Sequence, residues 1–165
     1  MYKVLLVDDE ALIREAISEN TRWKELGYEL MGTCKNGREA IERLDQEEAD
    51  LVLTDICMPY VDGMELTRYL YEKHKGVKVI IISGYDDFEY AKTAVKYQVM
   101  DYILKPITAK ELAQTLTRVK EKLDEERFQK SDMKRIRGAY MSNLPILRGR
   151  FLNSLLMGNV GAQEI

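Results

Sequence analysis

Short apolar runs alternate along this chain with stretches whose apolar residues recur every three or four positions. Residues 3–7, 29–34, 51–54, 77–82 and 102–104 are the β-rich runs. Three of them contain VLLV, LVLT and VIII, apolar on both faces, as expected for strands covered on both sides. The intervening segments are amphipathic. Ala11, Leu12 and Ala16 mark the first, which continues to Trp23; Ala40, Ile41 and Leu44 mark the second, after Asn36-Gly37. Met64, Leu66, Leu70 and Tyr71 mark the third, entered after Pro59 and Asp62-Gly63. Phe88, Ala91, Ala94, Val95 and Val99 mark the fourth, and Leu112, Leu116, Val119 and Leu123 the fifth.

Five strands alternating with five helices predict right-handed βαβ crossovers and a doubly wound parallel sheet. Alternation alone leaves the strand order open; the flavodoxin-like order 2-1-3-4-5 is one common solution. In every such sheet, ligands sit beyond the carboxyl ends of the strands. Those positions carry Asp8-Asp9-Glu10 after the first strand, Asp55 after the third, Ser83-Gly84 after the fourth and Lys105-Pro106 after the fifth. Each alone reads as a helix cap, a turn or a solvated side chain. Together they place a cluster of carboxylates, Asp8, Asp9 and Asp55 among them, with a hydroxyl and an ammonium on one sheet edge. Crowded carboxylates repel unless a cation or proton intervenes. An oxygen-only donor set suits Mg²⁺, which tolerates few protein ligands and several waters. A lysine in addition suits an incoming phosphoryl group, with Asp55 as the nucleophile that would become an acyl phosphate.

Composition narrows the class without altering this picture. The 165 residues are 45% hydrophobic and 32% charged, with net charge −3, so the chain as a whole does not read as a nucleic-acid binder. The charge is uneven. Residues 127–150 hold seven basic residues (Arg127, Lys130, Lys134, Arg135, Arg137, Arg148, Arg150) against one acid, Asp132, and the front of the chain is acidic. A solvated helix face and a DNA contact both fit that stretch. Cys34 and Cys57 have no metal-type spacing and fit a reducing compartment. No apolar run reaches membrane-spanning length, and the expected location is cytoplasmic.

The motifs VLLVDDE, LTDICMPYVDGMEL, IIISGY and DYILKP, in this order, resemble the receiver domain of two-component response regulators. The resemblance covers residues 1–125 and implies the (βα)5 flavodoxin-like sheet, order 2-1-3-4-5, with a C-terminal helical extension. It implies that Asp55 is phosphorylated by a separate sensor histidine kinase; that Mg²⁺ is held by Asp8, Asp9, Asp55 and the backbone carbonyl of Cys57; that Ser83 and Tyr102 form the switch pair; that Lys105 contacts the phosphoryl group; and that the Lys105–Pro106 bond is cis. Cys57, two residues after Asp55, and Tyr85, two after Ser83, border the phosphoryl position and are expected to tune its lifetime. The lone histidine, His74, beside Lys73 and Lys75, reads as a solvated helix end.

The fifth helix continues past the receiver. Its 4-3-4 stripe from Leu112 to Leu123 reads either as packing on its own sheet or as a coiled-coil seam, which Met133 and Tyr140 resume after Glu126 and Lys130. The expectation is a homodimer through this C-terminal helix. ILRGRFLNSLLMGN, YDDFEYAKTAVKYQVMDYILKPI and the Trp23 loop resemble AraC-type regulators of the YesN kind. In that group a C-terminal helix-turn-helix module binds DNA. Residues 126–165 are then a linker and the start of a following region, the module itself being absent, as in a piece of a longer protein. A stand-alone receiver acting on a protein partner is the alternative. An aspartyl phosphatase is disfavoured, because Asp8-Asp9-Glu10 are contiguous instead of Asp-x-Asp. Self-modification on one aspartate is not turnover, so no enzyme is expected.

Overall fold

The computed structural model describes residues 1–84 and 87–142, with side chains through residue 130. Five strands, β1 (Tyr2–Val7), β2 (Tyr28–Cys34), β3 (Leu51–Thr54), β4 (Lys78–Ser83) and β5 (Asp101–Leu104), form one parallel sheet in the order β2-β1-β3-β4-β5. Helices α1 (Ala11–Asn20), α2 (Trp23–Leu26), α3 (Gly37–Gln46), α4 (Gly63–Lys73), α5 (Phe88–Lys96) and α6 (Ala109–Ser142) fill the crossovers and the C-terminal side. This is the flavodoxin-like doubly wound fold. The chain divides into two compact units, Met1–Lys120 and Glu121–Ile165.

Burial follows strand position. The central strands β1, β3 and β4 are almost wholly buried, whereas edge strands β2 and β5 keep half-buried and exposed positions. Leu5, Val7, Val52, Leu66, Leu70 and Ile81 belong to one apolar cluster. Tyr28 is fully buried at the start of β2, and its hydroxyl donates to the Leu116 carbonyl at 2.7 Å. That carbonyl also accepts an in-helix bond, so Tyr28→Phe should cost only about 1 kcal/mol, measurable by urea denaturation. A loss of several kcal/mol would show that the phenol does more than tie β2 to α6.

Three differences from the sequence reading have physical causes. The first helix ends at Asn20, and the Trp23 segment forms its own turn, α2; the Trp23 indole is buried and donates to the Ser18 carbonyl at 3.1 Å. Leu12 and Phe88 are exposed, at 80% and 77%. Helix phase explains this: α1 turns Ile17 inward and α5 turns Ala94 inward, leaving Leu12, Phe88 and Val95 on solvent faces. His74 is half-buried rather than solvated. Its Nε2 lies 2.9 Å from Asp45 Oδ1 and its ring packs on Tyr69, whose hydroxyl also donates to Asp45.

On α6, Leu112, Leu116 and Val119 are buried within the first unit, as the own-sheet reading requires; Leu123, in the second unit, is buried as well. Met133 and Tyr140 lie where side chains are not described. The amphipathic start at 148–156 and Tyr85 lie outside the described residues. Among the described residues, no helix is long and apolar enough to cross a membrane.

Candidate functional site

Strand register builds the site. Val7 pairs with Thr54 across β1 and β3, so the residues that follow, Asp8 and Asp55, emerge side by side. The Asp55 N–H donates to the Val7 carbonyl at 2.9 Å, and the Asp8 N–H to the Cys34 carbonyl at 3.0 Å. Because β1 leads outward to β2 and β3 lies on its other side, this is where the strand order reverses, the crevice in which doubly wound sheets bind ligands. At the far side, Ser83 pairs with Leu104, and the Lys105 N–H donates to the Ser83 carbonyl at 2.7 Å. The Lys105–Pro106 peptide is cis.

The lysine reaches back across the crevice. Lys105 Nζ lies 3.1 Å from Asp8 Oδ2 and 3.3 Å from Asp55 Oδ2. Both carboxylates are buried, as is Ser83. The other Asp55 oxygen, Oδ1, accepts the Ile56 N–H at 2.8 Å, which leaves Oδ2 as the oxygen facing the ammonium. Asp8 Oδ1 accepts the Glu10 N–H at 2.9 Å, and Arg14 donates to the Asp8 carbonyl at 2.6 Å. Asp9 is exposed, and one carboxylate oxygen each from Asp8, Asp9 and Glu10 lie within 4.8 Å of one another.

Two buried carboxylates share one ammonium. Burial, then the Asp8 charge, push Asp55 above its ordinary value against the pull of Lys105 and the Ile56 N–H. Burial alone would lower Lys105; Asp8 and Asp55 more than offset it and hold the ammonium above its ordinary value. The cluster is therefore short of positive charge. An oxygen-only donor set in that condition fits a hard divalent cation.

Several contributors were not singled out by sequence reasoning. Gly63 donates its N–H to the Ile56 carbonyl at 2.8 Å and lies against the Asp55 carbonyl. Its Asp-Gly signal read only as a helix start, and Asp62 does cap α4 through the Glu65 N–H. Thr54 donates its hydroxyl to the Asp55 carbonyl at 2.9 Å. Glu10, unlike these, was already named with Asp8 and Asp9 after the first strand, and it joins their carboxylate group. Tyr90, on α5, lies near Cys57, and the Cys57 charge, then burial, push its phenol above the ordinary value. No sequence signal could have paired those two. Tyr102 is half-buried on β5 and packs against the central apolar cluster, paired in register with Ile81.

The two thiols have opposite surroundings. Cys34 is buried; burial, reinforced by Glu39, pushes it up to about 11. Cys57 is exposed. Thiolate, not thiol, is the nucleophile, so a disulfide reagent at pH 8 should modify one cysteine in the folded chain and two after denaturation. Modification of folded Cys57→Ser at the wild-type rate would contradict this assignment.

Residues 4–117 match the response regulator receiver domain family. The chain is 39% identical over 119 residues to the uncharacterized transcriptional regulatory protein YesN of Bacillus subtilis, a match spanning 72% of this chain and 32% of that protein. It is 38% identical over 129 residues to the transcriptional regulatory protein HptR of Staphylococcus aureus, spanning 78% of this chain and 50% of HptR. The matched part thus covers 32% to 50% of these relatives. Among solved structures, the REC domain of AraT, a response regulator from Geobacillus stearothermophilus, superposes with TM-score 0.72 at 41% identity, over 76% of this chain and 98% of that domain. With this agreement in fold and sequence, the chain belongs to the response regulator receiver domain family.

Proposed function

We propose that this chain is a phosphorylation-controlled switch in which ionised Asp55 accepts a phosphoryl group from the phosphohistidine of a separate sensor histidine kinase. The observation that carries the reading is Lys105 Nζ bridging Asp8 and Asp55 at the point where the strand order reverses. Asp55 Oδ2 attacks phosphorus, an O–P bond forms, the N–P bond breaks, and the imidazole leaves with the electron pair of that bond. Asp55 Oδ1, held by the Ile56 N–H, fixes the carboxylate plane during the attack. Lys105, already within salt-bridge distance of Oδ2, exchanges that contact for the new phosphoryl oxygens.

Asp8, Asp9, Asp55 and the Cys57 backbone carbonyl are the residues that would hold Mg²⁺, with Glu10 beside them. When bound, the ion neutralises charge on the phosphoryl oxygens. Phosphorylation adds up to about −2 charge and three acceptor oxygens. Ser83 turns its hydroxyl toward them, Tyr102 repacks inward, and the α5–β5–α6 face shifts population. Cys57 and Tyr85 set how long the acyl phosphate survives, and Tyr90 lies near Cys57. Nothing in this scheme turns over a substrate.

The output is transcriptional, as the names of YesN and HptR suggest. Residues 1–125 form the receiver and 126–165 lead toward a helix-turn-helix module that would contact DNA, in a cytoplasmic protein. The 34-residue α6 pairs two copies as a homodimer. The test is intact-chain mass after incubation with Mg²⁺ and acetyl phosphate. Wild type should gain one phosphoryl group and Asp55→Ala none; an adduct on both overturns the assignment. Light scattering on the same samples should report a dimer, and a monomer in every sample refutes pairing through α6.

A further inference from the structure

Arg14 breaks a local rule. It is the fourth residue of α1, inside the first turn, where the helix dipole disfavours a cation. The spacing from Glu10 to Arg14 suits an i, i+4 ion pair. Among the described residues no such pair forms; Arg14 Nη1 donates instead to the backbone carbonyl of Asp8 at 2.6 Å. The side chain is half-buried, and its charge is felt at Cys34, the end of β2. Helix formation does not explain a guanidinium directed at one carbonyl beside a carboxylate cluster.

That carbonyl belongs to the turn that carries the acidic residues. Asp8 has a partner at every polar atom. Its N–H donates to the Cys34 carbonyl at 3.0 Å, Oδ1 accepts the Glu10 N–H at 2.9 Å, Oδ2 accepts Lys105 Nζ at 3.1 Å, and the carbonyl accepts Arg14. The exposed Asp9 and Glu10 carboxylates accept no hydrogen bond and join no ion pair among the described residues. The Asp8 carbonyl and the Asp9 N–H share one rigid peptide plane. A bond to that carbonyl therefore limits the rotation from which the Asp9 side chain departs.

We propose that Arg14 is a positioning residue for the cation: it holds the Asp8–Asp9 peptide so that the Asp9 carboxylate stands ready for Mg²⁺, with the guanidinium kept off that carboxylate. The inference rests on the Mg²⁺-dependent acceptor site proposed above. Arg14 acts on Mg²⁺ in two ways of opposite sign. Its charge repels a divalent cation, so removing it would tighten binding. Its hydrogen bond orients a ligand, and losing such a partner weakens metal binding by about 10- to 100-fold. Asp9 is exposed, so solvent screens the repulsion. A hydrogen bond from a charged donor is among the strong ones, so orientation wins.

Mg²⁺ is titrated into the unphosphorylated whole chain and followed by amide NMR shifts at Asp9, Glu10 and Ile56. Arg14→Met, similar in length and a good helix former, should weaken Mg²⁺ about tenfold. It should also move the Asp9 amide resonance before any Mg²⁺ is added. Arg14→Lys keeps the charge and a donor sufficient for a single carbonyl, and should recover most of the loss. Arg14→Leu is a second neutral variant held to the same expectation as Arg14→Met, and cooperative melting in EDTA verifies that each variant is folded. No Mg²⁺ shift in wild type refutes the acceptor-site reading and this inference with it. Wild-type binding together with equal or tighter binding in the two neutral variants overturns the inference alone.

Discussion

Asp55→Asn should make the Mg²⁺-free chain more stable at neutral pH, not less, while removing the phosphoryl acceptor. Asp55 is raised in the folded chain, first by burial and then by Asp8, so the native state holds that proton more tightly than the unfolded chain does. Ionising it costs stability. The cost is absent below the ordinary carboxylate range, sets in as pH climbs through it, and is complete above the raised folded value. Lys105 is shifted upward too, so it stays charged across that window and its contribution does not change there. Asparagine keeps the shape, carries no such cost, and leaves Lys105 with Asp8. A gain on the order of 1 kcal/mol corresponds to roughly 2–4 °C in Tm. The two proteins should converge as pH falls below 4. Mg²⁺ should then stabilise wild type more than Asp55→Asn, since binding to the native state alone raises stability. A lower melting temperature for Asp55→Asn at pH 7 without Mg²⁺ would mean that Lys105 outweighs burial and Asp8 repulsion combined.

Gly63→Ala should be the most damaging single-methyl change near the site. A Cβ at Gly63 would collide with the Asp55 carbonyl oxygen and stand 2.8 Å from the Ile56 Cα. Both obstacles are backbone, so no side chain can swing away. The same glycine supplies the N–H that fixes the Ile56 carbonyl. Relief requires moving either the start of α4 or the acceptor loop. The expected cost is about 3 kcal/mol, at the upper end of overpacking effects, with slower phosphorylation from acetyl phosphate because Asp55 is displaced. Gly76→Ala is the control: its added Cβ meets nothing within 4 Å and should change stability by no more than about 0.5 kcal/mol. Equal effects at the two positions would show that helix entry, not contact with Asp55, governs Gly63.

Much of the architecture was legible because its signals are local. The buried strands β1, β3 and β4 announce themselves as continuous apolar runs, and their observed bounds fall within a residue of the expected ones. Asp8, Asp55 and Lys105 were legible for a related reason: each directly follows a strand, and topology brings strand ends together. Helix faces were less legible. Apolar spacing admits more than one phase, so Leu12 and Phe88 read as core although Ile17 and Ala94 take the inward positions. The break between α1 and α2 escaped because it depends on the Trp23 indole finding the Ser18 carbonyl. His74 was misjudged because its partner Asp45 is remote in sequence. The Tyr90–Cys57 pair and the closeness of Gly63 to Asp55 are likewise facts of three-dimensional juxtaposition, which no periodicity encodes.

The order in which the sheet recruits its strands has a consequence for biosynthesis. Asp8 and Asp55 are translated early, but their shared cation sits at residue 105, beyond the last strand. A nascent chain whose fifth strand is still inside the ribosome therefore carries Asp8 and Asp55 without their counter-charge. On the proposed function, the acceptor site is therefore complete only once the last strand has joined the sheet.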